Sequence, residues 1–216
     1  MAATEATLSP KTLAENPSAV HRLCDDRRLE LAQAEPNAAH LMISRLAKRY
    51  GDRFTHITQN VDDLVERAGF ADSVRVHGNL TFLRSLGDPN LKVNIGYTRY
   101  WDGDAAHAPP QGFQFDDGSG NLYRPDIVLY GEQTKLYHRM FLVMGALHPD
   151  DLLVVMGTSG AVVPVNRWTA NADCRKVLNN LHASNWVDES RFDTVIRERA
   201  AEAADEIERV VVSHLG

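Results

Sequence analysis

Residues 151–156 read Asp-Leu-Leu-Val-Val-Met, an apolar run with no polar alternation. A strand with one solvated face alternates, whereas a strand covered on both faces does not; the second pattern belongs to parallel sheets flanked by helices. Further short runs at 54–58, 126–130 and 175–178 are separated by stretches with helical spacing. Strands that alternate with helices predict an α/β fold built on a doubly wound parallel sheet.

The chain has 216 residues, enough for one sizeable core, and a net charge of −6. No basic stripe is present to follow a nucleic-acid backbone, and no apolar run reaches the length of a bilayer span, so neither nucleic acid nor membrane is expected as a partner. The opening residues, Met1 to Leu8, lack a basic segment followed by an apolar one. The two cysteines, Cys24 and Cys174, make neither a disulfide framework nor a CxxC knuckle. Together these features predict a cytoplasmic protein in a reducing compartment.

One domain over 1–216 is expected, with a helical module at 8–35 and a turn-rich small subdomain at 79–124 inserted in it. Asn16-Pro17-Ser18 reads as a helix start, and Pro36 as the first position of another helix that Gly51 stops. Asp62-Asp63 open a helix that Gly69 closes. A further helix is predicted over 135–147. A long amphipathic one is predicted over 192–215, with Phe192, Val195, Ile196, Ala203, Ile207 and Val211 on its apolar stripe. Segment 79–124 carries Gly87, Pro89, Gly96, Gly103, Pro109-Pro110, Gly112, Gly118 and Gly120, with Tyr97, Tyr100, Trp101, Phe113 and Phe115 between them. That composition reads as turns around a small aromatic core.

Three expected strands end in polar or glycine residues: Thr58-Gln59-Asn60-Val61-Asp62, Tyr130-Gly131-Glu132 and Gly157-Thr158-Ser159-Gly160. If all are parallel, these exits share the edge at which open α/β sheets bind ligands. A strand that only packs has no use for amides and a carboxylate at its exit. Val76-His77-Gly78 follows the first of these units and adds an imidazole, the side chain best suited to proton transfer near neutral pH.

Taken together, these segments resemble the sirtuin family of NAD-dependent protein deacylases. The resemblance rests on Ala34-Glu35-Pro36-Asn37-Ala38-Ala39-His40, Thr58-Gln59-Asn60-Val61-Asp62 with Glu66-Arg67-Ala68-Gly69, Val76-His77-Gly78, Arg124-Pro125 with the run to Glu132, Gly157-Thr158-Ser159 with Val162-Val163-Pro164, and Phe192-Asp193 with Ile196. Their order and spacing agree over about residues 8 to 212. The resemblance implies a Rossmann-like α/β fold, NAD as cofactor and an acyl-lysine protein or peptide as substrate. It implies that His77 is the general base that takes a ribose proton, and that Asn60 and Asp62 line the nicotinamide pocket, with Gln59 on the same ribose. Gly157, Thr158, Ser159 and Asn180 stand where the family contacts the adenosine side, Asn179 being the alternative register. Val128, Tyr130, Gly131 and Glu132 stand on the edge where an acyl-lysine peptide lies.

Three departures matter. Family members carry two cysteine pairs between the His-Gly and the Arg-Pro, whereas 79–124 contains no cysteine, only His107 and scattered aspartates; no metal is expected. The family opens with a strand and Gly-Ala-Gly-x-Ser, whereas no glycine here precedes Gly51, so either that unit lies upstream of Met1 or a sheet without its first strand is expected. Members that remove succinyl-type groups carry Tyr-x-x-Arg where this chain has Cys24-Asp25-Asp26-Arg27. Arg27 keeps the means to pair with a carboxylate, while Asp25 and Asp26 stand close enough to compete for it. The leading expectation is NAD-dependent lysine deacylation. The alternatives are a non-catalytic binder of NAD, ADP-ribose or acyl-peptide, or an NAD hydrolase or ADP-ribosyltransferase on the same site. Oligomeric state is not legible in the sequence.

Overall fold

The computed structural model describes residues 2–99, 113–114, 122–170 and 172–216. It divides into two compact units, the first comprising 1–35, 57–64 and 75–134, the second 36–56, 65–74 and 135–216.

The first unit begins with three helices, α1 (Ala2–Thr7), α2 (Pro10–Glu15) and α3 (Pro17–Gln33). The α3 start follows the predicted signal: the Asn16 side chain accepts from Ala19 N at 3.3 Å, and Pro17 fills the first turn. Strand β1 (Ile57–Thr58) leads into the polar loop; the single-turn helix α5 (Leu64–Arg67) starts at the end of that segment and continues in the second unit, and β2 (Val74–Arg75) lies at the return to the first. Next come β3 (Gly78–Ser85), β4 (Lys92–Asn94), β5 (Phe113–Gln114) and β6 (Leu122–Ile127), an antiparallel sheet in the order β4-β3-β6-β5.

The described part of segment 79–124 is therefore an antiparallel sheet of two hairpins joined through β3 and β6, with the eight-residue β3 as its longest strand. The strand expected at 126–130 lies earlier, and it pairs antiparallel with β3. Its exit does not belong to a parallel sheet, because β3 rather than a crossover helix supplies its partner. Tyr97 packs on the core formed by Val20, Cys24, Leu31, Leu80, Ile127 and Leu129, and its hydroxyl donates to Asp63 Oδ2 at 2.5 Å. Tyr100, Trp101, His107 and Phe115 lie outside the described residues.

The second unit holds the parallel sheet in the order β7 (Leu152–Met156), β8 (Arg175–Asn179), β9 (Thr194–Ile196). Its helices are α4 (Ala38–Tyr50), α6 (Leu136–Gly145), α7 (Val165–Thr169) and α8 (Ala204–Leu215). Val177 and Leu178, in the middle strand, are both 0 % exposed and face opposite sides, Val177 into a core with Met42, Leu46, Ile207 and Val211, Leu178 against Val165, Val187 and Phe192. Each of these two side chains contributes about 1.5–3 kcal/mol; the full burial expected of the run at 151–156 falls on β8 instead, β7 being half-buried along its length.

Two expectations are corrected here. Helix α4 begins at Ala38 with Asn37 as its cap, so Pro36 precedes the cap. His40 completes a capping box, its Nδ1 accepting from Asn37 N at 3.0 Å. The single helix over 192–215 is instead β9 followed by α8. Asp193 locks the strand beside β8, its N–H donating to Lys176 O at 2.9 Å and its carboxylate accepting from Lys176 N at 2.7 Å. Arg197 to Arg199, all polar or charged, interrupt the apolar stripe before the helix begins.

Candidate functional site

In the first unit the exit of β1 is laced to the segment around His77. Val76 N donates to Thr58 O at 3.0 Å, and Leu80 N to Val61 O at 2.8 Å. Arg75 Nη1 donates to Asn60 O at 3.4 Å. The His77 ring places Nδ1 at 3.0 Å from Gln59 O. A carbonyl accepts only, so Nδ1 carries the proton and the basic lone pair sits on Nε2. Burial pushes the His77 pKa below its ordinary 6.5, and the Gln59 carbonyl returns part of that shift. The imidazole is neutral at pH 7, the form a base requires.

Gly78 explains the His-Gly pair. Its φ is +89°, and a Cβ there would lie 2.0 Å from Asp126 O. Only glycine allows β3 to start this close to β6, and Val128 N reaches back to His77 O at 2.9 Å. The polar loop is similarly fixed by its own side chains. Asn60 N donates to Thr58 Oγ1 at 3.0 Å, and Asp62 Oδ1 accepts from Leu64 N at 3.1 Å. Asp62 thus caps α5, one carboxylate oxygen bound in that task. The side chain of Asn60 is exposed and those of Gln59 and Asp62 are half-buried. Two amides and a carboxylate on a main chain held rigid suit the hydroxyls and carboxamide of a dinucleotide.

Segment 128–132 is more constrained than an open edge. Tyr130 N donates to Leu8 O at 2.8 Å and Glu132 N to Leu129 O at 2.9 Å. Glu132 accepts from Arg124 Nη1 at 2.5 Å, Arg124 Nη2 at 3.1 Å and Leu129 N at 2.8 Å, with Arg84 at 3.4 Å. Burial alone would raise the Glu132 pKa; the Arg124 hydrogen bonds, the Leu129 amide and the Arg84 charge carry it below the ordinary carboxylate value. Glu132 therefore shapes the turn that presents Val128, Tyr130 and Gly131. Main-chain pairing with a peptide must use carbonyl oxygens at 128 and 130, because their amides are taken.

Arg27 is ion-paired with Glu30 at 2.6 Å. The expected competitors are otherwise engaged: Asp25 is buried in a pair with Arg28, and Asp26 lies 4.0 Å from Arg99. The buried Cys24 thiol is pushed up to about 12 by burial, so it is no nucleophile. Arg75 and Leu8, which the sequence did not single out, position Asn60 and Tyr130; their signal was long-range pairing, invisible to local pattern.

In the second unit Gly157 has φ +62° and follows β7, its N–H donating to Asn179 O at 2.9 Å. Thr158 Oγ1 accepts from Gly160 N at 3.1 Å and Ser159 Oγ from Ala161 N at 3.4 Å. Asn180 Nδ2 donates to Thr158 O at 2.8 Å, and Asn179 Nδ2 ties β8 to Ile196 O and Glu198 O. Asn180 thus braces the glycine-bearing loop rather than reaching out from it.

Among the described residues no group of three or more His, Cys, Asp or Glu side chains is arranged to hold a metal, and no helix is long and apolar enough to cross a membrane.

Comparison with known proteins accords with this geometry. The Sir2 family profile matches residues 1–164. An NAD-dependent protein deacylase of Campylobacter jejuni is 34% identical over 193 residues, spanning 89% of this chain and 76% of the relative. One from Helicobacter hepaticus is 32% identical over 215 residues, spanning 90% and 80%. Among solved structures, a Sir2 homologue in complex with NAD superposes with a TM-score of 0.76 at 25% identity, covering 98% of this chain and 78% of that one. A Sir2 homologue bound to ADP-ribose gives 0.79 at 26% identity, covering 98% and 81%. The fold is the Rossmann-like α/β fold of these proteins, and the chain belongs to the Sir2 family.

Proposed function

We propose that this chain is an NAD-dependent protein-lysine deacylase that transfers the acyl group to ADP-ribose with release of nicotinamide. The observation that carries the reading is the single-proton arrangement at His77: Nδ1 faces the Gln59 carbonyl at 3.0 Å, and the ring is held neutral by burial. A packed histidine has no need of a fixed tautomer next to a loop of exposed amides.

When bound, NAD supplies an electrophilic ribose carbon whose nicotinamide departs. His77 Nε2 is the group that accepts a hydroxyl proton. Asn60 and Asp62 orient the ribose and the nicotinamide carboxamide, with Gln59 beside them; Arg75 holds the main chain of Asn60, and the Leu64 amide holds the Asp62 carboxylate. The loop Gly157-Thr158-Ser159, braced by Asn180, offers amides and hydroxyls of the kind that bind adenosine phosphates and riboses. The acyl-lysine peptide lies along Val128, Tyr130 and Gly131, in the turn that Glu132 shapes. Folding without a metal is part of the same proposal, as is residence in the cytoplasm, which the free state of both cysteines favours.

The test is direct. Purified protein is incubated with an acetyl-lysine peptide, with and without NAD, and products are followed by mass spectrometry. We expect deacetylated peptide and nicotinamide in equal amounts, only when NAD is present. Nicotinamide released without loss of the acetyl group would favour NAD hydrolysis instead. Metal analysis of the same sample should find no stoichiometric zinc.

A further inference from the structure

The first unit holds a half-open cavity of about 310 Å³ that the candidate loop helps to line. Val61 and Asp62 form one wall, and Ile127, next to the peptide-bearing segment, another. Most of its lining is aliphatic: Leu8, Leu23, Leu31, Ala34 and Leu80. Such a chamber is far larger than an acetyl group needs, since a group the size of a water molecule or methylene takes about 30 Å³.

Charge decides what kind of acyl group fits. The charged side chains lining the chamber are Arg27, Glu30 and Asp62, one positive and two negative. The single cation already faces Glu30 at 2.6 Å. A carboxylate-bearing acyl group would enter a wall with net negative charge and compete with Glu30 for Arg27, whereas an alkyl chain would lie mostly against aliphatic carbon. Cys24, on the same lining, offers a neutral thiol and no hydroxyl or cation.

Resting on the deacylase reading above, we infer that this chamber receives the acyl chain and selects a neutral, unbranched one longer than acetyl, of which hexanoyl is typical, over a carboxylated one. Each methylene that leaves water for the aliphatic wall tightens binding by about fourfold.

The experiment measures binding by fluorescence anisotropy, with one peptide sequence carrying acetyl-, hexanoyl- or succinyl-lysine, and turnover with NAD in parallel. We expect hexanoyl to bind at least about tenfold tighter than acetyl, and succinyl no tighter than acetyl. Ala34→Phe, which fills the chamber, should lower the hexanoyl-to-acetyl affinity ratio. Glu30→Gln, which releases Arg27 on an exposed helix face, should raise the succinyl-to-hexanoyl ratio severalfold. Equal or absent binding across the series, or succinyl bound tighter than hexanoyl, overturns the inference. Chain-length-dependent binding with no NAD-dependent turnover supports the chamber assignment and refutes the deacylase reading; turnover of the acetyl peptide with flat binding does the reverse.

Discussion

The Nδ1 atom of His77 lies 3.0 Å from the main-chain oxygen of Gln59, the residue that opens the polar loop after β1. One contact therefore sets the tautomer of the imidazole and ties it to the residues proposed to orient the ribose. The geometry makes the loop and the base one mechanical unit.

A pH dependence follows from that unit. Burial lowers the His77 pKa below 6.5, with the Gln59 carbonyl working partly against it. The neutral base is thus retained below the pH at which an ordinary histidine is half protonated. The acid limb of kcat/KM should be a single one, centred below the 6.5 of an ordinary histidine. An inflection above 7 would contradict the burial of the ring.

Gly78→Ala should be costly. The added Cβ would meet Asp126 O at 2.0 Å, and φ of +89° is strained for any L side chain. We expect a loss of about 3 kcal/mol or more in chemical denaturation, with activity lost in the fraction that still folds because His77 is displaced.

Glu132→Ala removes the anionic partner of Arg124, whose side chain is 8% exposed and is left with the Ile127 carbonyl as acceptor. An uncompensated buried guanidinium costs about 3 kcal/mol. Denaturation should show a loss of that order, and KM for the peptide should rise as the 128–132 turn loosens.

His21 predicts an acid sensitivity. It is fully buried, and desolvation followed by the Arg28 and Arg124 charges lowers its pKa from 6.5 to about 3. In the unfolded chain it takes up a proton near pH 6.5, and in the folded chain only near 3. Stability is therefore complete above pH 6.5 and falls through that window as pH drops, by about 1.4 kcal/mol per unit from this one group. His21→Gln should flatten the slope by that amount in denaturation curves at pH 6, 5 and 4.

Much of this was legible in the sequence. Asn16-Pro17 marks the start of α3 because a cap and a fixed φ act locally, and the aliphatic run at 152–156 marks a strand of the parallel sheet, although β7 is half-buried rather than fully covered. The limits were non-local. Phe192, Val195 and Ile196 satisfy a helical stripe and a strand equally well, and only Lys176, on the neighbouring strand, decides between them. Helix α4 starts at Ala38 rather than at Pro36 because Asn37 caps it, with His40 closing the box in place of the usual Glu or Gln. At the site, the motif names His77 and Asn60, but Arg75, Leu8 and the Arg124–Glu132 pair enter only through contacts that no local pattern encodes.

The most direct measurement compares wild type with His77→Ala in NAD-dependent deacylation of one acyl-lysine peptide, with peptide affinity determined alongside. The account predicts that kcat falls by at least about a hundredfold while the peptide is still bound. Equal turnover by the two proteins would contradict it.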